Sequence, residues 1–158
     1  MTNHHGFYDP EDVRDACGVG FVSDRRGRRT HRMIQTAVRC LHALDHRGAR
    51  SSDGTGDGAG LMTRIPFRLF ERDLVRMGVT PVGEGRLGVF MVFLPTANTA
   101  GARDVVETAA RREGLEVLGW RTVPVGTTIL SETARRSLPV IEQLMVAAPE
   151  TVSSDDFE

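Results

Sequence analysis

"RDACGVGFV", residues 14–22, is the stretch whose reading decides the fold. A thiol, Cys17, stands at the first residue of a short apolar run, with glycines at 18 and 20. A structural cysteine acts as a small hydrophobe and belongs inside such a run rather than at its mouth. Residues 1–16 ahead of it are polar, with Asp9-Pro10 as a turn signal, and they end at Ala16. Removal of that leader would give Cys17 a free α-amine beside its own thiol. Such an amine titrates near ~7.7–8, so part of it is a neutral base at physiological pH. One residue would then supply nucleophile and base together. From the residues alone, 1–16 read as a polar leader ahead of the packed elements that start at Cys17, with no clear domain boundary.

Outward from that stretch, residues 17–22 read as a strand and "SDRRGRR" as a turn around Gly27. Thr30 is placed to cap a helix from about His31 to Asp45, whose Ile34, Ala37, Val38, Leu41 and Leu44 follow the helical period. "HRGARSSDGTGDGAG", residues 46–60, reads as a loop, "AGLMTRI" as a strand, and Pro66 as the opening of a helix through "FRLFERDLVRMG". Residues 86–95, "RLGVFMVFLP", are apolar on both faces, which predicts a strand in the middle of a sheet. A helix over 102–114 ends at Gly114, "LEVLGWRTVPV" is a strand, "SETARRSL" a short helix capped by Ser131, and 139–149 a last strand. Strands alternate with helices throughout, the pattern of an α/β domain.

Composition narrows the classes of function. With 158 residues, 40% hydrophobic and 26% charged, the chain suits one soluble domain with a real core. The net charge of −1 gives no electrostatic case for nucleic acid or an anionic membrane, and the 20 basic residues are all arginine, spread among 21 acids. No run approaches the ~20 apolar residues of a membrane helix, and the N-terminus lacks the pattern of a secretory signal. Two cysteines, Cys17 and Cys40, suggest no disulfide framework. These features predict a cytoplasmic location.

Other motifs have plainer readings. Gly54, Gly56 and Ala59 match a loose dinucleotide fingerprint, but the strand before it and the helix after it are missing. Asp53, Asp57 and Gly58 resemble the start of a calcium loop, yet Arg64 stands where its bidentate glutamate belongs. A tight glycine turn is the simpler account. His4 and His5 read as solvated. His31, His42 and His46 flank one helix, and no acid or cysteine at ligand spacing joins His42 and His46. Cys40 sits near the apolar stripe as a small hydrophobe.

"RDACGVGFV", then "LHALDHRGA", then "TGDGAGLMTRIP" together resemble the opening of the glutamate synthase large-subunit family, and "GFYDPEDVRDA" resembles its short propeptide. More widely, a Cys-Gly start followed by a helix and then Arg-Gly is similar to the class II glutamine amidotransferases, which are N-terminal-nucleophile hydrolases. The resemblance covers essentially the whole chain, more weakly after residue 95.

The resemblance makes the leader, 1–16, propeptide-like and 17–158 a domain. It implies an α+β fold, part of the αββα sandwich of those hydrolases. It implies that Cys17 attacks the side-chain amide of glutamine, giving a γ-glutamyl thioester and ammonia, and that water then releases glutamate. Arg47, of "HRG", matches the arginine beside the nucleophile and would favour the thiolate or orient the amine. Its plain alternative is a helix-end arginine held by the helix dipole and solvent. Asp53 and Asp57 receive no catalytic role. The family's Asn-Gly oxyanion pair has no counterpart here, because Asn3 precedes His4 and Asn98 precedes Thr99. The chain accordingly reads as an N-terminal piece of the family with little glutaminase activity by itself. FMN and an iron-sulfur cluster would belong to other domains, and the remainder of the enzyme would be a partner. Two alternatives stay open: a non-catalytic binding or assembly protein that self-associates through an open apolar face, or the start of another class II amidotransferase.

Overall fold

The computed structural model describes residues 18–45, 52–56 and 58–149. Cys17, Arg47, His4, His5, His46 and Asp57, with the leader 1–16, lie outside the described residues. The chain divides into two units, 1–62 and 63–158, each described by itself.

Among the described residues of the first unit one helix forms, α1, His31–Ala43. It has the predicted stripe of Ile34, Ala37, Val38 and Leu41, but none of its residues is buried. Thr30 occupies the cap position without a capping bond from its side chain, contrary to expectation. Its backbone carbonyl accepts from Met33 N instead, at 3.0 Å. The strand expected over 17–22 is not found in its described part. Residues 18–24 have no regular structure, and Val19 and Phe21 are 91% and 93% exposed. Among the described residues, strand propensity there meets no neighbouring strand to hold it. The strand expected over 59–65 is likewise irregular chain. The turn signals hold. Asp24 O accepts from Gly27 N at 2.8 Å, with Gly27 at φ 65°.

The second unit is a three-stranded antiparallel sheet with a helix on each face. Its elements are α2 (Phe67–Arg76), β1 (Leu87–Leu94), α3 (Thr99–Arg112), β2 (Glu116–Thr122), α4 (Glu132–Arg136) and β3 (Val140–Ala147). The spatial order is β1-β3-β2. Both pairings are antiparallel, whereas alternation of strands and helices in the sequence more often signals parallel crossovers. A mixed fold with one small antiparallel sheet is consistent with part of an αββα sandwich.

The middle strand is β3, not β1 as the apolar run of 86–95 predicts. Leu144, Met145, Val146 and Ala147 are fully buried, while Phe90, Met91 and Phe93 on the edge strand are 46%, 51% and 64% exposed. Two apolar layers sandwich β3. Phe70 and Leu74 of α2 pack with Leu87, Leu118 and Met145 on one face. Ala110 of α3 packs with Leu144 and Val146, flanked by Val106, Val117 and Trp120, on the other.

Both long helices of this unit end alike. Gly78 and Gly114 take positive φ of 75° and 77° after α2 and α3. Val79 N then reaches back to Leu74 O, and Leu115 N to Ala110 O, both at 3.0 Å. These are Schellman closures, and each is accompanied by an apolar contact within the helix's own core layer. β2 carries a bulge where Leu118 and Gly119 together oppose Met145. Gly119 is required there: its φ is 149°, and an added Cβ would come within 2.9 Å of Met77 Cε.

Candidate functional site

Neither Cys17 nor Arg47 can be placed from the described residues, so the site is approached from its flanks. Residues 18–20 after the thiol are exposed, and a Cβ at Gly20 would meet nothing within 4 Å. The turn beyond them is organised by one carboxylate. Asp24 Oδ1 accepts from Arg26 N at 2.7 Å, and Oδ2 accepts from Arg28 Nη2 at 3.0 Å. The Arg28 bond, followed by that of the Arg26 amide, holds the Asp24 carboxyl below the usual carboxylate range. The described part of the glycine loop is a tight turn, as its composition predicts. Thr55 N donates to Asp53 Oδ1 at 3.0 Å, and Gly54 has φ 80°. Asp53 thus serves the backbone.

The remaining motifs resolve simply. Cys40 is exposed on α1 instead of packed as a small hydrophobe. His31 and His42 are exposed on the same helix. Among the described residues no group of three or more His, Cys, Asp or Glu could hold a metal ion.

Two polar clusters that the sequence reading missed sit on opposite faces of β3. Glu142, only 3% exposed, accepts from Arg103 Nε at 2.6 Å and from Arg103 Nη2. The guanidinium lies 5.5 Å from the centroid of the Trp120 ring. Trp120 Nε1 donates to Glu107 Oε1 at 2.8 Å, and Arg111 Nη2 donates to Glu107 Oε2 at 2.7 Å. These two donors, Trp120 first, hold the Glu107 carboxyl low, while Glu142 raises the affinity of Arg103 for its proton.

On the other face, Arg121 Nε donates to Asp73 Oδ2 at 2.7 Å and Nη1 donates to Gln143 Oε1 at 2.8 Å. Arg121 also lies 5.8 Å from the Phe70 ring centroid, and its hydrogen bond is the main cause of the depressed Asp73 carboxyl. Each cluster ties one helix to the sheet. Among the described residues no buried side-chain polar atom lacks a partner. Such satisfied networks fix packing; they leave no group aimed at a ligand.

The family comparison covers what the geometry does not. The model of the family described as "Glutamine amidotransferases class-II" matches residues 17–158, so the match begins at Cys17. The chain is 43% identical over 150 residues to "Ferredoxin-dependent glutamate synthase 2" of Synechocystis sp., covering 93% of the chain and 10% of that protein. It is 37% identical over 155 residues to "Glutamate synthase [NADPH] large chain" of Azospirillum brasilense, covering 96% of the chain and 10% of that protein. It is 35% identical over 159 residues to "Ferredoxin-dependent glutamate synthase" of Pyropia yezoensis, covering 100% of the chain and 10% of that protein. The chain thus spans about a tenth of the length of the curated relatives it matches. A family match over nearly the whole chain, with these similarities beside it, means that the chain belongs to the class II glutamine amidotransferases.

Proposed function

We propose that the chain is the glutaminase portion of a glutamate synthase, with Cys17 as nucleophile after loss of residues 1–16. The observation that carries this reading is the start of the family match at Cys17, the same residue that "RDACGVGFV" singles out chemically. Glutamine is the substrate. The α-amine of Cys17 takes the thiol proton, and the sulfur attacks the side-chain amide carbon. The carbon–nitrogen bond then breaks, and the nitrogen leaves as ammonia with a proton returned from the amine. Water attacks the γ-glutamyl thioester, the carbon–sulfur bond breaks, and glutamate departs with the thiol restored. Arg47 supplies fixed positive charge near the sulfur.

No Asn-Gly pair occurs in the 158 residues, and an oxyanion donor of that kind contributes about 10²–10³ in rate. The chain alone therefore turns glutamine over slowly or not at all, and the remainder of the enzyme acts as its partner. An iron-sulfur cluster does not fit these residues, since such clusters are held by sets of cysteine thiolates and the chain has Cys17 and Cys40 alone. That cluster and FMN belong to other parts of the enzyme. We place the activity in the cytoplasm on the low cysteine content; no helix among the described residues is long and apolar enough to cross a membrane.

Intact mass and alkylation test the nucleophile directly. The mature protein should begin at Cys17, and at neutral pH iodoacetamide should modify Cys17 several-fold faster than the exposed Cys40. Equal rates in a chain that begins at Cys17 would refute an activated thiol.

A further inference from the structure

We infer that the outer edge of β1 is a self-association surface, and that its occupant is β1 of a second copy of this chain, paired antiparallel across a two-fold axis. The two edges of the sheet differ. The β2 edge is blunted by the bulge at Val117/Gly119, by the charges of Glu116 and Arg121, and by Pro124 just beyond the strand. Proteins keep edges from pairing by such devices. The β1 edge has none of them. Leu87–Leu94 pairs with β3 in regular register at every position, and "LGVFMVFL" contains no charge and no proline. Among the described residues no strand pairs with its outer side. Phe90 projects on one face of the sheet, and Met91 and Phe93 on the other, all about half exposed or more.

A two-fold axis normal to the sheet keeps every side chain on its own face, so only residues of like parity can oppose one another. With the axis at Met91, Phe90 opposes Val92, Val89 opposes Phe93, and Gly88 opposes Leu94. Every pair is apolar, two are aromatic with β-branched, and no like charges meet. This is an isologous contact, which closes as a dimer. Area sets its strength. At about 200 Å² for a large side chain, the exposed fractions of Phe90, Met91 and Phe93 amount to about 600 Å² over two copies. The backbone of the seven residues that pair about this axis, 88–94, brings the total near the ~1,000 Å² at the low end of specific interfaces. The dimer is accordingly weak, forming in the micromolar range and dissociating on dilution.

Size-exclusion chromatography with light scattering on the 158-residue chain, from low to high micromolar, should show a monomer–dimer equilibrium. Met91→Lys and Phe93→Lys should each weaken it at least tenfold, and Thr122→Lys on the β2 edge should not. A second arm does not depend on those variants folding. In a Cys17→Ser, Cys40→Ser background, Met91→Cys should crosslink into a disulfide dimer on mild oxidation, whereas Thr122→Cys should remain monomeric. A monomer at every concentration, or crosslinking no better at Met91→Cys than at Thr122→Cys, would overturn the inference.

Discussion

Arg103 reaches from α3 to Glu142, a carboxylate buried on the middle strand of the sheet, and holds it with two hydrogen bonds. The pair joins residues 39 apart in sequence and fixes the helix over one apolar layer. Removing one partner of a buried pair typically costs about 3–5 kcal/mol, because the other charge is left without compensation. Arg103 is 38% exposed, so water would partly replace it. Arg103→Met should therefore destabilise the chain by roughly 2–3 kcal/mol, measured by urea unfolding. Arg103→Met with Glu142→Leu should recover most of that loss, since an apolar pair can replace a buried ionic one.

The opposite face gives a pH dependence. Asp73 is held below the usual carboxylate range chiefly by its hydrogen bond from Arg121. A carboxyl depressed in the folded state adds stability above its unfolded value, near ~4, and that stability is lost as pH falls through the folded value. Glu107, depressed by Trp120 and then Arg111, acts in the same direction. Thermal unfolding should thus show falling stability below about pH 4. Asp73→Asn should lower stability at neutral pH and flatten the acid limb of that profile.

Asn98 tests local backbone chemistry. It caps α3 by accepting from Gly101 N at 3.2 Å, and it does so in the left-handed region, at φ 60°. Asn98→Ala loses both the cap and the tolerance for that conformation, at about 1–2 kcal/mol. Asn98→Gly should cost only a few tenths of a kcal/mol, because glycine adopts positive φ freely. Paired denaturation curves separate the two terms.

Elements governed by local chemistry were legible in the sequence. Gly114 announced the end of α3, and Ser131 does cap α4, accepting from Ala134 N at 3.2 Å. The predicted start of α3 at residue 102 fell short of Thr99, because an asparagine cap in the left-handed region was not read as a helix start. Tertiary pairing was hidden. The apolar "VFMVF" looked central but lies on an edge, while the central strand carries Glu142 and Gln143. Those polar residues are tolerated in the middle because Arg103 and Arg121, 39 and 22 residues away, satisfy them. No periodicity encodes a partner that distant. "GVGFV" carried a strand pattern, yet Val19 and Phe21 stay in solvent because no strand lies beside them among the described residues. Cys17 was singled out by its residue chemistry alone and lies outside the described residues, and the family match begins at that residue.

The central claim, that Cys17 is the nucleophile of a glutaminase, is tested most directly by ammonia release from glutamine in a chimaera. Residues 17–158 would be joined to the segment that follows the matching region in the Synechocystis relative, 43% identical to this chain. The account predicts glutamine hydrolysis by the chimaera, little by the 158-residue chain alone, and none by the chimaera carrying Cys17→Ser. Hydrolysis that survives Cys17→Ser would contradict it.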